Sequence, residues 1–129
     1  MYYMLPVKIS KPEQFRYESK TWNRLLEFFK QENTFLKNRL AEVVDDKTGR
    51  DFLSLAENFQ NRFILKDEII DELRKEISLQ VLGLGNCKNI LADDTLMEKQ
   101  EKLRTEIEYF ERDFNKLKNE FNKYLSSVL

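Results

Sequence analysis

The densest group of side chains able to hold a cation or move a proton is Asp67, Glu68, Asp71, Glu72 and Glu76, five carboxylates within ten residues. Asp67 with Asp71, and Glu68 with Glu72, are four apart, so on a helix each like-charged pair shares a face and repels by about 0.2–0.5 kcal/mol. A divalent cation or a basic partner would relieve that repulsion. Arg74 and Lys75 lie within the same turns, however, and oxygen-only cages favour loops over a straight helix surface. The cluster is read as a solvated face, and neither a metal nor a cofactor is expected.

The other routes to chemistry are short of parts. The chain has no histidine, which removes the Glu-x-x-His pairs of diiron bundles, the usual zinc ligands and the base of hydrolytic triads. Gly83-Leu84-Gly85 lacks the further glycine, the lysine and the preceding strand of a phosphate-cradling loop, and reads as the terminator of a helix. Cys87, the one cysteine, has Lys88 beside it to lower a thiol pKa but no usual base, so it reads as inert. No enzyme is expected.

The elements that would position any such residue follow from apolar spacing. Phe15, Trp22, Phe29, Leu36 and Val43 lie seven apart, interleaved with Ser19, Leu26, Asn33 and Leu40. A second stretch sets Ala56, Phe63, Ile70, Ile77 and Leu84 beside Phe52, Phe59, Lys66, Leu73 and Gln80. The third sets Leu96, Leu103, Phe110, Leu117 and Tyr124 beside Gln100, Ile107, Phe114, Phe121 and Val128. Alternating steps of four and three are the d and a rows of a heptad, whereas a strand would alternate every second residue.

Local signals place the ends. Ser10 with Glu13, and Thr95 with Glu98, have the spacing of a capping box, and Pro12 is tolerated in a first turn. Asp45 to Arg50 form a short polar break with one glycine, and Asn86 to Asp94 a longer connection. The spacing predicts helices over 11–45, 49–82 and 95–127, an all-α, antiparallel up-down-up three-helix bundle with coiled-coil-like heptad packing. Residues 1–10 read as an extended segment of one domain spanning 1–129, with Tyr2, Tyr3, Leu5, Val7 and Ile9 able to lie along a groove. Three equal helices with Trp22 in the first resemble a spectrin-type repeat, a resemblance that implies architecture and nothing functional.

Composition excludes further classes. Charged residues make up 35% of the chain, yet the net charge is −1, which gives no general attraction to nucleic acid or acidic lipid. Lys116, Lys118 and Lys123 are the best nucleic-acid candidates, but acids alternate with them. The opening Met1 to Pro6 has no basic region followed by an apolar run, and nothing approaches the ~20 apolar residues of a membrane span. A reducing, cytoplasmic setting fits a single cysteine.

Two groups remain as candidate functional residues. Asn33, Lys66 and Gln100 are polar at seam positions, where a paired polar group fixes register. Folding back about residue 88 puts Lys66 level with Glu111, so that ion pair is expected. Phe28 and Phe35 flank the d row of the first helix on the side of Leu25, widening its apolar arc to about 140°. Leu25, Phe28 and Phe35 are therefore the candidate interaction surface. Leu53, Leu55, Ile64, Leu65, Ile69 and Leu79 also lie outside the seam of the second helix, more than three helices need to cover. The expected function is a non-enzymatic helical module for protein–protein interaction or self-assembly, a homodimer being one form of it, with a small-molecule-binding bundle and a nucleic-acid-binding protein as alternatives.

Overall fold

A computed structural model describes residues 11–46, 49–86 and 94–129. Within them every residue except Gly49 and Leu129 is helical. Helix α1 spans Lys11–Asp46, α2 Arg50–Asn86 and α3 Asp94–Val128, of 36, 37 and 35 residues. At 1.5 Å per residue each is about 55 Å long, so three of them can pack along their whole length.

Ion pairs between the helices fix the topology. Along α1 and α2, Lys30 meets Asp71 and Lys37 meets Asp67, so one chain number rises as the other falls. Along α2 and α3 the order is likewise reversed, with Arg62 on Glu120 and Glu76 on Lys99. Between α1 and α3 both numbers rise together, Glu18 to Arg104 and Glu32 to Lys118. The bundle is the expected up-down-up arrangement.

The heptad rows are the core. All nine row positions of α1 are buried, as are nine of ten in α2, where only Phe52 at the end is half-exposed. In α3, Leu96 and Val128 at the two ends are half-exposed and Leu125, outside the rows, is buried instead. Aromatic rings fill the centre. Phe29 meets Phe110 and Phe114 at centroid distances of 5.6 and 5.0 Å, and Phe63 meets Phe121 edge-to-face at 5.1 Å, geometries that aromatic quadrupoles favour. Helices α1 and α2 approach each other most closely, and α1 and α3 least.

Helix α2 does not stop at its first glycine. It continues through Gly83 and Gly85 to Asn86, four residues beyond the expected end. Burial of Leu84 against Phe15, Leu96 and Met97 holds this last turn in place. Gly83 serves close approach instead of termination, since a Cβ there would stand 2.8 Å from Leu96 Cδ2. Thr95 lies inside α3, which starts one residue earlier at Asp94. The readings placed on residues 1–10 and on Cys87 lie outside the described residues.

Candidate functional site

The polar seam residues divide into two clusters, one toward an end of the bundle and one near its middle. Toward the N-terminal end of α1, Gln100 is fully buried and its amide donates to Glu18 Oε1 at 2.9 Å and to the Phe15 carbonyl at 3.4 Å. Its own oxygen accepts from Gln80 Nε2 at 3.1 Å, and the same nitrogen donates to the Leu96 carbonyl at 2.7 Å. Arg104 grips both Glu18 oxygens at 2.7 Å. One hydrogen-bonded set thus ties all three helices at a single level, which a purely apolar layer would leave free to slide.

The second cluster surrounds α2. Asn33 is fully buried and donates to the Phe63 carbonyl at 2.8 Å and to Asp67 Oδ1 at 2.9 Å, while Lys37 pairs with the other Asp67 oxygen. Among the described residues, Asn33 Oδ1 and Ser19 Oγ are buried without a hydrogen-bond partner. One member of the acidic run, Asp67, is therefore committed to α1, and Asp71 and Glu76 pair with Lys30 and Lys99. The cluster is drawn apart by neighbouring helices. No group of three or more His, Cys, Asp or Glu placed to hold a metal occurs among the described residues.

Lys66 pairs with Asp113, and not with the expected Glu111. The axial level was right and the side of α3 was wrong. Glu111 lies seven residues from Arg104 and from Lys118, the row that faces α1; Asp113 lies on the row of Lys99 and Glu120, which faces α2. A turn of 100° per residue separates the two sides of a helix within two positions. The Lys66 side chain is only 8% exposed, and its amine also stands 5.7 Å from the Phe110 ring centre.

Charge placement shows in the titration of these groups. Burial would raise the carboxyls of Glu18 and Asp67, but hydrogen bonds from Arg104 and Gln100 to the first, and from Lys37 and Asn33 to the second, outweigh it and hold both below the usual carboxylate range. The Lys99 hydrogen bond lowers Glu76 likewise. A carboxyl depressed in the folded state contributes stability that is complete above its unfolded value and lost as pH falls through the folded one. Melting temperature is thus expected to hold between about pH 7 and 5 and to fall below about pH 4, where ordinary carboxylates titrate. Circular-dichroism melts across that range check it, and Asp67→Asn should flatten the acid limb.

The aromatic strip of α1 is only partly assembled. Leu25 is half-buried and packs on the core, whereas Phe28 and Phe35 are 56% and 63% exposed. Phe28 keeps one edge-on contact with Phe29, at 5.6 Å. Of the apolar residues outside the seam of α2, Leu53, Leu55, Ile64, Leu65 and Leu79 are exposed and Ile69 packs partly on the core. Lys118 is tied to Glu32; Lys116 and Lys123 share a shallow outer face of α3 with Arg112.

Glu18, Gln80, Arg104 and Asp113 were not singled out from the sequence. Gln80 was visible as a polar seam residue; the other three flank the seam and look like ordinary surface charges until the neighbouring helix is in place. Among the described residues no helix is long and apolar enough to cross a membrane. Compared with protein-family models, with curated proteins and with solved structures, the chain finds no match.

Proposed function

We propose that this chain is a non-enzymatic helical module for protein–protein interaction or self-assembly, acting in a reducing, cytoplasmic setting, with the outer face of α1 around Phe28 and Phe35 as its contact surface. The observation that carries the proposal is the exposure of these two rings on a face otherwise almost free of charge. Between residues 14 and 38 its rows are Gln14, Tyr17, Thr21, Arg24, Phe28, Gln31, Phe35 and Asn38, with Arg24 the one charge before Glu42 and Asp45 continue the rows at the far end, in a chain that is 35% charged overall. A solvated helix face would resemble the rest of the surface. This one suits an apolar stripe on a partner helix or on a second copy, where each ring buried contributes about 1.5–3 kcal/mol.

The test is a Phe28→Glu, Phe35→Glu double variant. Both side chains point away from the core, so helical content should be kept while solution mass by light scattering drops to that of a monomer, or a captured partner is lost. Association unchanged in the double variant removes this surface. A second reading, a bundle that holds a small molecule, is favoured by a groove between α2 and α3 beside Lys66.

A further inference from the structure

We infer that the groove between α2 and α3 is a binding site for a small organic cation, an ammonium carried on a flat apolar body. It deepens the small-molecule reading and is independent of the α1 face. The groove arises from a gap in the ion-pair ladder. Position for position, α2 presents Arg62, Ile69 and Glu76 toward α3 at seven-residue steps, and α3 answers with Glu120, Asp113, Glu106 and Lys99. Arg62 closes on Glu120 and Glu76 on Lys99. Between them Ile69 is too short and too apolar to reach across, and a cavity of about 300 Å³ is left, the lower end of the range for small-molecule sites.

The walls select the ligand. Ile69, Leu73 and Phe110 give an apolar floor, and the Tyr109 ring, largely exposed, stands at the side. The Lys66 charge is already taken by Asp113, so Glu106 is the carboxylate left over; among the described residues no cation pairs with it. With Asp113, Glu106 and Lys66 the groove carries a net charge of −1. An anionic ligand would face two carboxylates. A cation gains from Glu106 and from the ring face of Tyr109. Closure by Lys66–Asp113 at one end and by Glu76–Lys99 at the other leaves an open stretch of about ten residues of α2, near 15 Å, which admits a small molecule and not the length of a partner helix.

The experiment is a titration of the isotopically labelled full chain, followed by amide NMR shifts, with benzyltrimethylammonium chloride and, at matched ionic strength, with sodium benzoate. The ammonium compound is expected to give saturable shifts at Ile69, Glu106 and Tyr109, with benzoate giving none there. Glu106→Gln and Tyr109→Ala, both at exposed positions, should each weaken binding by up to about fivefold. Ile69→Arg completes the ladder with a tethered cation and should abolish binding while helical content is unchanged. Shifts that do not saturate by about 10 mM ligand, equal shifts with benzoate, or full binding by Ile69→Arg would each overturn the inference. Shifts confined to Phe28 and Phe35 would do so as well, by moving the ligand to the α1 face.

Discussion

Phe63→Ala is expected to destabilise the folded chain by about 3–5 kcal/mol, the cost of deleting a fully buried ring and leaving part of its volume empty. Phe63 has no exposed surface and is among the largest fully buried side chains. Its ring meets Phe121 edge-to-face at 5.1 Å and Phe59 in a stacked arrangement at 6.4 Å, so truncation removes contacts on α2 and α3 together. The surrounding rings are held by three long helices and cannot collapse far into the gap. Phe28→Ala, a change of identical chemistry at a site 56% exposed, should cost less than about 1 kcal/mol. Urea unfolding followed by circular dichroism separates the two, and equal costs would contradict the burial pattern on which the fold description depends.

Breaking the Lys66–Asp113 pair should be costly from one side and cheap from the other. Asp113→Ala leaves Lys66, whose side chain is only 8% exposed, without its counter-charge, and removal of one partner of a buried pair costs about 3–5 kcal/mol. Because Asp113 itself is 45% exposed, water reaches the site and about 2 kcal/mol is the expected loss. Lys66→Met removes the buried charge and keeps an unbranched apolar stem over Phe110, while the half-exposed Asp113 turns to solvent. Its effect should lie within about 1 kcal/mol of zero, or be stabilising. If the lysine variant proves the more damaging of the two, Lys66 has a role in the fold beyond satisfying its own burial.

Glu111 and Asp113 show where reading from sequence runs out. Both are acidic, both neighbour the Phe110–Phe114 seam step, and the fold-back about residue 88 places both within one turn of Lys66. Choosing between them requires the hand of the bundle, that is, which flank of α3 meets α2 and which meets α1. Nothing in a heptad pattern supplies it, since the pattern is symmetric about the seam. The same gap in knowledge hid Glu18, Arg104 and the Gln80–Gln100 link, and it hid the groove, which exists because Ile69 interrupts a ladder that only the assembled helices reveal. Gly83 was misread for a related reason. Glycine ends helices by its backbone freedom, but here the absent side chain makes room for Leu96, a neighbour only tertiary packing brings near.

By itself the sequence determined three helices of nearly equal length, their core faces and the polar positions within the seams, because a period near 3.5 residues allows only one face to leave water. It also marked Phe28 and Phe35 as standing off that face. Only the tertiary structure decided which charges meet, how far α2 runs, and that a cavity opens between Arg62–Glu120 and Glu76–Lys99. Burial is a property of each helix and is written in its own periodicity; a pairing belongs to two helices, and is set by the hand and spacing with which their surfaces come together.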